Sequence, residues 1–300
     1  MNWLLFALLA PALYALVVFI DKYVVSKEVK DYSCMPLYSA MTGLLSGTIV
    51  WFVTGRPLLP LPDVAIVLAS GVLTALSFVF YFKAILDEDA STVNLFFQLG
   101  PIFMLVLAFF FLGEKLGIKQ CVGFTIIFGA VFLASYTPTK KGKSKISKAL
   151  LYILIYDSLW AISAILIKFA LHANTLSQLI SYQNWGVALG GLGIFSFLPS
   201  IRISFLKSLR TIKKKVILLM MFNELLFIVA RVVTYVAYSL GTVTLVGLLE
   251  GTQVFYGVFY GWILTLVFPK FFNEDITKKT LFRKATLAMI LFLGIIFVTL

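Results

Sequence analysis

Residues 242–268, TVTLVGLLEGTQVFYGVFYGWILTLVF, hold a carboxylic acid, Glu250, and an amide, Gln253, about one helical turn apart in an otherwise apolar run. The run is long enough to cross a bilayer core, which takes about 20 helical residues. An ionised group at that depth costs roughly 2.5–3.5 kcal/mol on insertion scales, so its default reading is functional. Further polar residues sit inside apolar runs: Asn94 and Gln98, Asp157, Gln183 and Asn184, then Asn223, Glu224 and Arg231. Asp157 and Glu224 must each be protonated or find a partner. Counted from a turn expected near Gly241, Arg231 and Glu250 lie at matching depth, roughly 13–15 Å at 1.5 Å rise per residue. Opposite charges so placed on adjacent antiparallel helices are expected to pair. The pair reads as a static clamp, or as the border of a cavity with Gln98 contributed by another helix. In the second case Glu250 binds an amine or a proton, and Arg231 holds a carboxylate or tunes the acid. The candidate substrate- or proton-binding residues are therefore Glu250, Arg231, Gln253, Gln98, Asn94, Asp157 and Glu224. For the amides, hydrogen bonding between helices is the competing role.

The whole composition agrees with a membrane setting. The chain of 300 residues is 61% hydrophobic and 13% charged, with a mean hydropathy of +1.02. Soluble chains run near 45–50% apolar and about 25% charged. The net charge of +12 does not imply nucleic acid, because the basic residues fall between apolar runs, where a membrane protein keeps cytoplasmic Lys and Arg. One histidine, His172, and two cysteines, Cys34 and Cys121, give no ligand cluster for zinc, haem or iron–sulfur. No metal or other cofactor is expected. The cysteines begin spans on opposite faces, which excludes a disulfide. No phosphate-gripping Gly-x-x-x-x-Gly-Lys-Ser/Thr loop is present, so a primary pump would need a separate ATPase. Asp21, Lys22, Lys83 and Lys168 stand near helix ends and are expected to snorkel. The run Asp87-Glu88-Asp89 reads as a solvated turn.

These residues need helices to position them. Long apolar runs predict ten, near 2–25, 35–53, 63–86, 90–112, 117–136, 149–171, 176–198, 215–239, 242–268 and 282–300. The first is expected to be a retained helix rather than a cleaved signal. The last stops at Leu300 without a polar tail, so the natural chain is expected to run on. The basic linker 137–148 separates halves 1–136 and 149–300, which repeat weakly. Ala12-Leu13-Tyr14-Ala15 with Lys22 matches Ser158-Leu159-Trp160-Ala161 with Lys168. Phe96-Phe97-Gln98 matches Leu248-Leu249-Glu250. Gly43-x-x-x-Gly47 matches Gly186-x-x-x-Gly190, and glycines so spaced let helices cross closely. Halves with an odd number of spans must face opposite ways, giving an all-α inverted repeat of five helices each, the plan of many secondary transporters.

The stretch from Tyr81 to Gly117, YFKAILDEDASTVNLFFQLGPIFMLVLAFFFLGEKLG, carries a family resemblance. A small-residue turn leads into a helix with a mid-span proline, Pro101, and closes on Leu112-Gly113-Glu114-Lys115. With its five-plus-five layout, the chain resembles the EamA-type members of the drug/metabolite transporter superfamily. The second half departs from that pattern, ending Val267-Phe268-Pro269-Lys270 and placing Gln253 where the first has Pro101. The resemblance implies a secondary carrier for a small solute such as an amino acid or amine, with no enzymatic activity. The rival classes are a non-transporting scaffold or sensor and a membrane-embedded lipid-modifying enzyme; the single histidine weighs against the latter. The acidic tilt among mid-span charges favours a cationic or zwitterionic solute, with protons as a candidate coupling ion. About 20 Lys and Arg fall in the connections at one face and about 4 at the other. The richer face is assigned to the cytoplasm of a cell (plasma or inner) membrane and both termini to the outside, opposite to the family's usual topology. The sequence carries no signal for an oligomeric state.

Overall fold

The computed structural model describes residues 2–29, 31–100, 102–103, 106–107, 110, 117–138, 144–171, 174–240, 249–272 and 274–299. Pro101, Leu112–Lys115 and the turn expected near Gly241 lie outside them. Among the described residues the chain is built from eleven α-helices and one small hairpin. The helices are α1 (Asn2–Tyr23), α2 (Met35–Val53), α3 (Leu61–Asp87), α4 (Ala90–Phe96), α5 (Ile118–Ala134) and α6 (Lys148–Leu171). They continue as α7 (Leu176–Phe197), α8 (Pro199–Thr211), α9 (Lys214–Leu240), α10 (Gln253–Val267) and α11 (Lys278–Thr299). Six are long and apolar enough to cross a bilayer, or seven spans if α7 and α8 count as one broken span. The apolar α5 and α10 are shorter.

Local chemistry explains the boundaries. Proline stands in the first turn of α2, α3 and α8, where its missing N–H costs nothing. Thr175 and Gln178 form a reciprocal cap on α7, with the Thr175 backbone N–H donating to Gln178 Oε1 at 2.7 Å. Between α2 and α3 the chain turns through Gly55 at φ 84°, a left-handed conformation that glycine adopts without strain. At the two ends of the basic linker, β1 (Tyr136–Pro138) and β2 (Ser144–Ile146) pair antiparallel.

Packing is tightest around α7, which lies between α2 and α3. A Cβ on Gly47 would sit 2.8 Å from Asn184 Cβ, and Gly43 faces Val187 and the Asn184 carbonyl. On the other side, a Cβ on Gly186 would sit 2.3 Å from the Leu68 carbonyl oxygen, and one on Gly190 would sit 2.6 Å from Ala75 Cβ. Other extensive contacts join α3 to α6, α1 to α9, α5 to α11 and α4 to α10.

The connections sort by charge. Lys22 donates to the Ile85 carbonyl at 2.7 Å, Arg283 to the Leu133 carbonyl at 2.6 Å, and Lys284 binds Asp89. These bonds draw together the ends of α1 and α3, of α5 and α11, and of α4 and α11. Elsewhere, Asn174 bonds Asp63 and Gln178 bonds the Leu58 carbonyl.

The α3–α7 crossing yields a matched pair of variants. Gly186→Leu, which would drive a side chain into α3 backbone, should destabilise the detergent-solubilised protein by about 3 kcal/mol. Gly193→Leu, on the same helix with nothing within 4 Å of its Cβ position, should melt as wild type does. Equal melting of the two would show that the crossing is looser than described.

Candidate functional site

The predicted fourth helix is not continuous. After α4 the chain tightens into a 3-10 turn over Phe97–Leu99. The predicted ninth helix is interrupted at the matching place. Leu249 and Glu250 are helical, Gly251 and Thr252 form a turn, and α10 begins at Gln253. Thr252 holds that turn, its N–H and Oγ1 both donating to the Leu249 carbonyl at 2.9 and 2.5 Å. Glu250 and Gln253 therefore do not share one helix as their spacing suggested; a glycine and a capping threonine divide them.

The two interrupted helices are bound to each other. Gln253 Nε2 donates to Asn94 Oδ1 at 2.8 Å, while Asn94 Nδ2 donates to the Ala90 carbonyl at 3.0 Å. Gln98 is buried one turn on and donates to the Asn94 carbonyl at 3.4 Å. Gly257 makes the approach feasible, since a Cβ there would sit 2.7 Å from Asn94 Cβ.

Asp157 on α6 is 4% exposed, and its Oδ2 has no hydrogen-bond partner among the described residues. Its Oδ1 lies 3.6 Å from the Cβ position of Gly100, just past the 3-10 turn. Beside it, Tyr156 packs with Phe97 and Tyr81 at centroid distances of 5.2 and 5.6 Å. An unpartnered carboxyl against an aromatic wall and an interrupted helix can take a proton or an ammonium group.

Arg231 does not pair with Glu250 among the described contacts. Its Nη1 donates to Gln183 Oε1 at 3.4 Å, and its guanidinium stands 4.8 Å from the Phe227 ring centroid. Gln183 extends the contact, donating to Ser70 Oγ at 3.2 Å; Ser70 and Ser163 hydroxyls are 2.7 Å apart, and Thr74 joins them at 3.0 Å. This chain of polar groups links α9, α7, α3 and α6. Counting depth from a turn could not reveal that Gln183 meets the guanidinium. Glu224 stands two turns before Arg231 and is half-buried.

Two clusters correct the sequence reading. Asp21 does not snorkel: it accepts from Tyr81 Oη at 2.8 Å and Asn223 Nδ2 at 2.9 Å, joining α1, α3 and α9. Nor is the 87–89 run simply a solvated turn. Lys284, 8% exposed, donates to Asp89 at 2.9 Å, Ser91 Oγ at 2.7 Å and Glu274 at 3.1 Å. Glu274 also accepts from the Ser91 N–H at 3.0 Å and hydroxyl. Burial pushes the Glu274 carboxyl above its usual range, and Lys284 opposes that shift. Burial likewise raises Glu88. A cavity of about 220 Å³ opens beside this cluster, lined by Lys22, Lys27, Asp89, Glu274 and three phenylalanines. The missed signal was a helix start: α11 begins at Lys278, not 282, which carries Lys284 into its second turn.

Residues 1–136 match the EamA-like transporter family. A solved chain titled only "Crystal structure of protein" is similar at TM-score 0.51 and 15% identity, over 97% of this chain and 95% of that one; the likeness is one of fold. No match emerges among curated proteins. The protein is a multi-pass membrane protein.

Lys284→Met should cost about 3–5 kcal/mol, because it strands the buried Glu274 without its cation. Adding Glu274→Gln should recover much of that loss in a thermal melt. A wild-type melt for Lys284→Met would reduce the cluster to a surface contact.

Proposed function

We propose that this chain is a secondary carrier for a small metabolite, working by alternating access between two inverted five-helix halves, 1–136 and 149–300, joined by the 137–148 linker. The observation that carries this reading is the pair of interrupted helices. The fourth and ninth spans of such a repeat are equivalent, both break near the same place, and Gln253 bonds Asn94 across them. Secondary transporters characteristically build their sites from discontinuous helices, whose freed backbone groups and neighbouring side chains meet the solute.

The contact pattern supports the same plan. A twofold relation exchanging the halves brings equivalent helices together, as with α2 and α7, α4 and α10, α5 and α11. It also turns the α3–α6 contact into α1–α9. The EamA-like match over 1–136 adds the transporter class.

In this reading Asn94, Gln98 and Gln253 form the hydrogen-bonding floor of the site, and Asp157, Glu224 and Glu250 supply negative charge. Arg231 holds a carboxylate or moderates those acids. Acids outnumber the cation, which favours an amine or zwitterionic amino acid, with a proton as coupling ion. Gly43, Gly47, Gly186 and Gly190 serve as the close-packed crossings of the frame. The basic end faces the cytoplasm of the cell membrane, with both termini outside.

The test is a thermal-shift screen of the purified protein against amines and amino acids, followed by proteoliposome flux of any ligand found. A ligand should raise the melting midpoint and be transported, and Glu250→Gln should abolish flux while expression and melting stay as in wild type. Normal flux in Glu250→Gln would make Glu250 a strut. A bound ligand that never crosses would favour a sensor.

A further inference from the structure

The connection between α7 and the following span is a helix of a different kind. At Leu198 the chain bends by 105°, so with α7 crossing the bilayer, α8 runs close to the membrane plane. Its rotation is fixed by contact. Ile201, Ser204, Phe205 and Ser208 are buried, with the Phe205 ring 5.1 Å from Tyr38 and the Ser208 hydroxyl 3.0 Å from Tyr38 Oη. That leaves Ile203, Leu206 and Leu209 on the outer face, each about half exposed at 50, 48 and 49%.

The same outer side is strongly basic. Arg202, Lys207 and Arg210 are followed at once by Lys213, Lys214 and Lys215, and no acidic residue occurs between positions 197 and 223. Asp31 at the start of the second span acts on Lys207. Among the described residues no carboxylate forms an ion pair with Arg202, Arg210, Lys213, Lys214 or Lys215. Exposed leucine and isoleucine at the bilayer boundary require acyl chains, and unpaired guanidinium and ammonium groups beside them require anions. One partner supplies both.

We infer that α8 and the first turn of α9 form a binding site for anionic phospholipid, the headgroup phosphate held by Arg202, Arg210 and Lys213–Lys215 and the acyl chains lying on Ile203, Leu206 and Leu209. Lipid binding is independent of the carrier reading, so each stands if the other fails.

The full-length protein in neutral detergent, titrated with dioleoyl phosphatidylglycerol or phosphatidylcholine and followed by native mass spectrometry, tests this. Phosphatidylglycerol should bind at least about tenfold more tightly than phosphatidylcholine. The triple variant R202Q/R210Q/K214Q should weaken phosphatidylglycerol binding about 100-fold, at roughly fivefold per charge, and leave phosphatidylcholine unchanged. The charge-preserving R202K/R210K should retain binding. If the triple variant does not fold, R210Q and K214Q singly should each show the fivefold loss. Equal binding of the two lipids, undiminished phosphatidylglycerol binding in the variants, or displacement of the lipid by millimolar inorganic phosphate would overturn the proposal.

Discussion

Everything in this molecule follows from one constraint: inside a bilayer, a polar group has only the protein to answer it. The chain meets the constraint in part by pairing mid-span polar residues across helices. Ser70 and Ser163 bond through their hydroxyls and to each other's carbonyls, joining α3 to α6. Asp21 is held by Tyr81 and Asn223, and Gln253 by Asn94. Lys284 collects Asp89, Ser91 and Glu274 at the basic end. Because lipid tails supply no hydrophobic drive between helices, these bonds and the glycine crossings at α7 do the work of a core. Asp157 is the exception among the buried carboxyls: its Oδ2 is unanswered among the described residues, as are Asn223 Oδ1 and the Thr234 hydroxyl.

That exception is best understood beside the interrupted helices. A backbone break near mid-span frees groups that must be satisfied by a partner or a ligand. Here one break lies next to Gly100, which faces Asp157, and the other at Gly251 and Thr252, which follow Glu250. The bonded surroundings hold these positions in register, while Asp157 Oδ2 has no partner among the described residues. Under the proposed carrier reading, the frame holds the site and the Asp157 carboxyl takes the cation or proton.

Much of the frame was legible in the sequence, because apolar runs of bilayer length admit few other readings. The glycine pairs were legible too, at least as small-residue spacing, though not that α7 would present Gly186 and Gly190 to α3 while receiving Gly43 and Gly47 from α2. Partnerships were harder. Arg231 and Glu250 matched in depth, yet depth says nothing of azimuth, and the guanidinium turns to Gln183. Lys284 and Asp89 read as loop charges because nothing local marks residues 195 positions apart as neighbours. The in-plane α8 was hidden by its three cations and the three lysines that follow it, although Ile201, Phe205 and Ser208 already recur at helical spacing.

The central proposal, that the buried Asp157 carboxyl couples solute movement to a proton, is most directly tested with pyranine-loaded proteoliposomes. Purified protein would be challenged with amines and amino acids across an imposed gradient. The account predicts that at least one solute moves protons through the wild type. Asp157→Asn should still bind that solute, by thermal shift, while moving no protons. Proton movement through Asp157→Asn at the wild-type rate would contradict the account.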